Sequence, residues 1–140
     1  MKKILFILLF ILSFSHFLIP SPSFAQQGKT DSLLSLLKTA QADTSKINTL
    51  NALAWEIMNT GDYEKAMQYA NDALRHCETR LKAGRSNLTA QQIASLTLAI
   101  TKGKANAYNN VGAIYNDQGN YDKALENYFA SLKIKEEMGD

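Results

Sequence analysis

The sequence predicts an all-α protein in which antiparallel helix pairs stack into an α-α superhelix. Three observations favour this fold class. Apolar residues recur at steps of three and four along most of the chain, turn-forming glycines separate these segments, and no segment after residue 25 shows the sustained alternation of a β-strand. At 140 residues the chain has room for one modest domain.

The first 25 residues are predicted to be a secretory signal peptide that is cleaved after Ala25. Two lysines precede an apolar run over residues 4–19, and Pro20 follows it. Ser23 and Ala25 are small residues at the positions that a signal peptidase recognises. The alternative is an uncleaved membrane anchor, but the run is shorter than the roughly 20 residues that span a bilayer.

The net charge of +2 comes from this leader. Without Lys2 and Lys3, the 15 basic residues fall to 13 and equal the 13 acidic residues. A domain without net charge or basic clusters gives no indication of a nucleic-acid interface. We expect an exported protein, periplasmic or extracytoplasmic, with no nucleic-acid partner.

Residues 26–44 are predicted to hold a loose polar leader and one short helix. Thr30 is a suitable N-cap for a helix over about residues 31–40. A helix this short is marginal alone, so we expect it to dock on the next helix as an N-terminal cap. Its apolar side comprises Leu33, Leu34, Leu36 and Leu37.

Two helix pairs follow. In the first, over residues 45–82, Asp43 or Thr44 caps a helix that ends at Asn59, and a turn leads to a second helix from Tyr63 to about Lys82. The second pair ends with a helix from Tyr121 to about Met138, with Asn120 as its N-cap and Gly139 after its end.

Residues 83–104 are predicted to form a turn and an inserted helical arm between the pairs. Thr89 and Gln92 have the spacing of a capping box. From there the apolar stripe continues across Gly103, which predicts one helix over about residues 90–116. Gly103 is then a weak position that costs about 1 kcal/mol relative to alanine. A break near Gly103 is the alternative.

Residues 105–138 resemble one tetratricopeptide repeat, a helix–turn–helix unit of about 34 residues. The residues that carry the resemblance are Tyr108, Gly112, Tyr115, Gly119, Tyr121, Ala124 and Tyr128. Residues 45–74 resemble a less regular repeat through Leu53, Ala54, Gly61, Tyr63 and Ala66. The resemblance implies a solenoid that binds other proteins.

In such arrays the first helix of each repeat lines a concave groove. Carried over to this chain, the positions facing the groove are Asn48, Asn51, Trp55, Asn59, Asn106, Asn109, Ala113 and Asn116. Asparagine is a poor helix former, so its repetition on one face favours a binding role. The alternative is a hydrated helix face, with Trp55 packed under the leading helix. Asn110 matches the asparagine of relatives that clamp a peptide carboxylate, but the basic residues of that clamp are missing.

The sequence gives little support to catalysis, and no cofactor or metal is predicted. His76 and Cys77 are adjacent on a helix and point about 100° apart, so they do not chelate one ion. Cys77 is interpreted as a small buried residue. The alternatives are a reactive thiol and an intermolecular disulfide.

The predicted function is that of an exported scaffold that binds a protein or peptide. About three repeats are usually needed for a stable array, and the last helix has apolar residues beyond those that one neighbour covers. We therefore expect this chain to be the front part of a longer array. The alternative is the extracytoplasmic sensory region of a membrane-bound signalling protein, such as a histidine kinase, a cyclase or a transcriptional regulator. A third hypothesis is self-association through the C-terminal helix.

Overall fold

A computed structural model describes residues 24–40, 43–83 and 87–139. They form five helices: α1 (Phe24–Thr39), α2 (Asp43–Met58), α3 (Tyr63–Lys82), α4 (Ala90–Asp117) and α5 (Tyr121–Met138). The described ranges contain no strand, so the all-α prediction is confirmed. Most of the predicted signal peptide, residues 1–23, lies outside the described part of the chain. None of the described helices is both long enough and apolar enough to cross a membrane.

Each helix packs on the next helix along the chain, and one additional contact joins the two helix pairs into a stack. α1 packs on α2, α2 on α3, α3 on α4 and α4 on α5, and α2 also packs directly against α4. The first helices of the two pairs therefore lie side by side. Within the described residues α5 contacts only α4.

The two turns inside the helix pairs have the same construction. Gly61 and Gly119 have φ angles of +84° and +75°, a left-handed conformation that glycine adopts without steric cost. The next residues, Asp62 and Asn120, accept a hydrogen bond from the backbone N–H three positions further on. Each of these side chains thus satisfies one of the free donors at a helix start.

The main core lies between α2, α3 and α4. Fully buried alanines on α3 at positions 66, 70 and 73 let α3 approach its neighbours closely. The largest cluster of buried residues comprises Leu53, Ala54, Ile57, Met58, Ala66, Ala70, Val111 and Ile114. A smaller cluster of Leu50, Ala73 and Ala107 continues it.

The residues predicted to define repeat packing differ in burial. Leu53, Ala54, Ala66, Gly112 and Ala124 are buried, and Tyr63, Tyr108, Tyr115 and Tyr128 are half-buried. A Cβ atom at Gly112 would lie 2.7 Å from the Tyr128 ring, so the glycine permits the contact between α4 and α5. Tyr121, which the sequence also predicts to define repeat packing, is instead 65 % exposed within the described chain.

The inserted arm extends α3 and α4 side by side. The predicted capping box of Thr89 and Gln92 is present at the start of α4. α4 runs without interruption through Gly103, so the predicted continuous helix is confirmed and the break is excluded. Ile47, Cys77 and Ile100 form a buried cluster in this part of the stack. Leu81 and Leu96 pack against this cluster.

The N-terminal segment differs from the prediction. Residues 26–29, expected to be loose, belong to α1, and Thr30 is not its N-cap, because the Thr30 hydroxyl donates to the Gln26 carbonyl within the helix. Tertiary contacts explain the longer helix. The Gln26 amide reaches the Glu56 carbonyl on α2 at 3.4 Å, and Lys29 pairs with the Glu56 carboxylate. The leucines of α1 at positions 33, 34 and 37 pack on the main core, whereas Leu36 is exposed.

The start of α2 also differs. The helix begins at Asp43, so neither Asp43 nor Thr44 occupies the predicted capping position before it. The carboxylate of Asp43 instead forms an ion pair with Arg80 on α3 at 2.5 Å. A contact between residues distant in sequence therefore replaces the local capping interaction.

Gly103 is more than the weak position that the sequence indicates. It lies where α2 and α4 cross, and a Cβ atom at this position would be 2.4 Å from Cγ2 of Ile47. Ile47 is 1 % exposed and has little room to move. The glycine is therefore required by the close approach of the two helices.

Replacing Gly103 with alanine tests this close approach. The substitution gains about 1 kcal/mol in helix propensity, but the added methyl group must displace Ile47, and such overpacking costs about 1–3 kcal/mol. We expect a net decrease in the free energy of unfolding, measured by urea denaturation followed by circular dichroism.

The matched control is Gly28→Ala in α1, where an added Cβ meets nothing within 4 Å. It retains the gain in propensity, so we expect its free energy of unfolding to rise. Ile47→Leu removes the Cγ2 branch, so combining it with Gly103→Ala should recover part of the free energy of unfolding that Gly103→Ala loses. If Gly103→Ala stabilises the protein as much as the control does, the helices do not approach as described.

Candidate functional site

An open groove of about 390 Å³ runs along the side-by-side helices α2 and α4. Lys29 of α1 contributes to its wall. The helix residues that line it are Asn48, Asn51, Ala52, Trp55 and Glu56 from α2, and Asn106, Asn109 and Asn110 from α4. A volume of this size is within the range of about 300–1,000 Å³ that is typical of ligand sites.

Four of the residues predicted to face a groove do so with exposed side chains. They are Asn48, Trp55, Asn106 and Asn109. None of the three asparagines makes a hydrogen bond within the described residues, so their amides are available to a ligand. Asn59 and Asn116 are exposed but lie outside the lining of this groove, and Ala113 is half-buried.

Trp55 is the only tryptophan of the chain, and it is 46 % exposed. This exposure is far above that of the core residues on the same helix, such as Leu53 and Ala54 at 0 %. The alternative that the leading helix covers Trp55 therefore does not describe the structure. An accessible indole beside free amides provides an apolar surface next to hydrogen-bonding groups.

Asn51 has a different role from the one predicted for it. Its side chain is 8 % exposed, and its amide nitrogen donates to the Gly103 carbonyl at 3.0 Å. Asn110 is equally buried and donates from its amide to the Asn51 carbonyl at 3.0 Å. Both asparagines therefore join α2 to α4 beneath the groove. The expectation that Asn51 offers its amide to a ligand is therefore wrong. The Asn110 amide likewise donates within the stack and not to the groove.

A signal for this buried pair was present in the sequence. Asn51 lies four residues after Ile47 and three before Ala54, so it falls on the apolar stripe of α2. Asn110 lies three residues after Ala107 and four before Ile114, on the corresponding stripe of α4. The hydrogen bonds from the Asn51 amide to the Gly103 carbonyl and from the Asn110 amide to the Asn51 carbonyl could not be predicted, because they depend on how the helices cross.

The groove carries almost no net charge. Among the described residues, its only charged lining residues are Lys29 and Glu56, and these form an ion pair with each other. Glu56 is 8 % exposed, so Lys29 covers its carboxylate. The groove therefore presents neutral hydrogen-bonding groups and one aromatic ring to a ligand.

The adjacent His76 and Cys77 do not form a reactive pair. Partial burial lowers the pKa of His76 below 6.5, and the positive charge of Lys46 adds to this effect, while Asp43 at 3.6 Å opposes it. Cys77 is fully buried, and burial raises the pKa of its thiol to about 11. Its thiol is therefore protonated at neutral pH, in agreement with the interpretation as a core residue. Within the described residues no three histidine, cysteine or carboxylate side chains are grouped to hold a metal ion.

The fold and the groove define a helical-repeat protein built from two antiparallel pairs, whose first helices form a shared surface. Two models of the tetratricopeptide repeat match the chain, one over residues 47–75 and the other over residues 105–138. These two segments thus match the tetratricopeptide repeat, a unit that typically is non-catalytic and mediates protein–protein binding. No curated protein and no solved structure matches the chain.

The burial of Cys77 predicts an unreactive thiol in the folded protein. A disulfide reagent at pH 8 is expected to modify Cys77 only as fast as the protein unfolds, because the thiol is both inaccessible and protonated. After unfolding in guanidinium, one thiol per chain should react, since the chain has one cysteine. The control is the variant Cys77→Ala combined with Ser95→Cys, which places a thiol at an exposed position of α4. Native Cys77 reacting at the rate of this control would contradict the packing described.

Proposed function

We propose that this chain is an exported scaffold that binds an extended, uncharged peptide segment of a partner protein in the groove between α2 and α4. The observation that carries the proposal is the group of free amides on Asn48, Asn106 and Asn109 beside the accessible ring of Trp55. The presence of two tetratricopeptide repeats supports a role in protein binding.

The amides suit a peptide backbone as ligand. Each asparagine side chain both donates and accepts hydrogen bonds, as does each peptide unit of an extended segment. Asn106 and Asn109 are three residues apart on α4, so they lie on neighbouring turns of the same face. Asn48 faces them from α2. A peptide that follows the groove thus meets amides from both helices.

The charge of the lining favours an uncharged segment. An acidic or basic side chain would have to compete with the existing ion pair between Lys29 and Glu56, and the described lining of the groove offers no other charged partner. Trp55 offers an apolar surface on which one aromatic or aliphatic side chain of the peptide can pack. We therefore infer a neutral ligand with one apolar anchor.

Export is part of the proposal. It is supported by the basic start, the apolar run over residues 4–19 and the small residues Ser23 and Ala25. The site of action would then be periplasmic or otherwise extracytoplasmic. The second candidate function, an extracytoplasmic sensory region of a membrane-bound signalling protein, is favoured by the long arm of α3 and α4, which extends the stack beyond the repeat.

Peptide binding is testable by fluorescence, because Trp55 is the only tryptophan. A pool of neutral peptides with one central aromatic or leucine residue should change the emission of Trp55 in a saturable way. Otherwise identical peptides with an added lysine or glutamate beside the anchor should bind more weakly. If no peptide pool changes the emission, or charged peptides bind best, the proposed ligand class is wrong.

The contribution of the amides is tested by the double variant Asn106→Ala/Asn109→Ala. Loss of two hydrogen bonds at about 1 kcal/mol each should raise the Kd about tenfold to thirtyfold. The matched control is Asn71→Ala, which removes an exposed asparagine from α3 outside the groove and should leave the Kd unchanged. Equal effects of the two changes would show that these groove amides do not contact the peptide.

Processing of the leader is tested by substitution at the cleavage position. The exported chain is expected to begin at Gln26 by mass spectrometry. Ala25→Tyr should leave the precursor uncleaved, because the peptidase accepts only small residues there. The control is Gln27→Tyr, a substitution of similar size beyond the cleaved bond. Unprocessed wild-type chain in the membrane fraction would favour the anchor instead.

A further inference from the structure

The last helix carries an exposed apolar strip. α5 packs on α4 through buried Ala124 and Ser131, and its other side is free within the described residues. Four large side chains define the strip: Tyr121, Leu125, Phe129 and Leu132, with exposures of 65 %, 53 %, 65 % and 49 %. Contiguous apolar surface of this kind usually marks an interaction site.

The strip is arranged symmetrically along the helix. Tyr121 and Leu132 are eleven residues apart, close to three helical turns, so they lie on nearly the same line. Leu125 and Phe129 lie between them. The midpoints of both pairs fall at about the level of Asn127. A second α5 placed antiparallel about an axis at this level would therefore bring Tyr121 against Leu132, and Leu125 against Phe129.

The charges at one edge of the strip have the same symmetry. Asp122 and Lys133 are also eleven residues apart, and each follows a residue of the strip directly. Both are exposed, and neither forms an ion pair within the described residues. Their midpoint again lies beside Asn127. Glu126 is further around the helix from the strip, so its side chain points less directly towards the partner helix than the side chains of this pair do.

We propose that the strip is the interface of a homodimer, in which α5 of one protomer packs antiparallel on α5 of a second copy. A two-fold interface requires one surface to be complementary to itself. The apolar strip meets this requirement in shape, because each large side chain faces another. The edge meets it in charge, because Asp122 faces the partner's Lys133 and Lys133 faces the partner's Asp122. The proposal does not depend on the function of the groove, which lies on α2 and α4.

Charge reversal provides a specific test. The mass of the purified chain is measured by light scattering and sedimentation over a concentration series, and the wild type is expected to pass from monomer to dimer. Asp122→Lys and Lys133→Asp each place like charges opposite each other twice in the dimer, so each should raise the dimer Kd at least tenfold. The double variant restores both pairs and should return the Kd to within about threefold of the wild type.

Mixing the two single variants separates this geometry from other associations. In a mixed pair, one chain has lysine at positions 122 and 133 and the other has aspartate at both positions. Each lysine then faces an aspartate, so the heterodimer should have a lower Kd than either homodimer. The matched control is Glu137→Lys, the same charge change as in Asp122→Lys, at an exposed position of α5 away from the strip. It should leave the Kd unchanged. Circular dichroism confirms that every variant remains helical.

Several outcomes would overturn the proposal. A monomer at all concentrations would show that a second copy does not cover the strip. A mass that keeps rising beyond two copies would indicate head-to-tail stacking. The same conclusion would follow if the heterodimer of the two single variants had a Kd no lower than those of their homodimers. Replacing Leu125 and Phe129 with glutamine without any effect on the Kd would place the interface elsewhere.

Discussion

The close contact between α2 and α4 determines the rest of the architecture. At their crossing the Ile47 methyl group lies where a side chain at Gly103 would be, and the Asn51 amide donates to the carbonyl of Gly103. Asn110 then donates to the carbonyl of Asn51. These contacts fix the register between two helices whose residues are more than fifty positions apart. Because buried amides are costly when unpaired, the hydrogen bonds hold α4 at one position along α2.

The register has a direct consequence for the groove. With Asn51 and Asn110 turned inward, Asn48, Asn106 and Asn109 are left on the solvent side of the same two helices. The repeated asparagines thus serve two purposes on adjacent faces. One set joins the helices, and the other presents to solvent amides that have no hydrogen-bond partner within the described residues. A shift of one turn between α2 and α4 would separate Asn48 from Asn106 and Asn109.

The two ends of the stack differ in how far their apolar side chains are covered. At the front, α1 packs leucines on the main core, and Lys29 joins it to Glu56. At the back, α5 has α4 as its one neighbour within the described residues, and large apolar side chains remain exposed. In a solenoid each unit buries its faces on adjacent units. The exposed strip of α5 is therefore the surface on which binding of a further protein segment would gain the most free energy from burial of apolar side chains.

Local signals in the sequence specify the helices. The periodic apolar residues, the capping box at Thr89, the left-handed glycines and the end of α5 at Gly139 depend on neighbours within a few residues. Three other features depend on contacts between helices. The helical state of residues 26–29 depends on contacts with Glu56, and the inward turn of Asn51 and the need for glycine at position 103 depend on the crossing of α2 and α4. Such contacts join residues distant in the chain, and a pattern of single residues records which side of a helix is apolar but not which atom of another helix it meets.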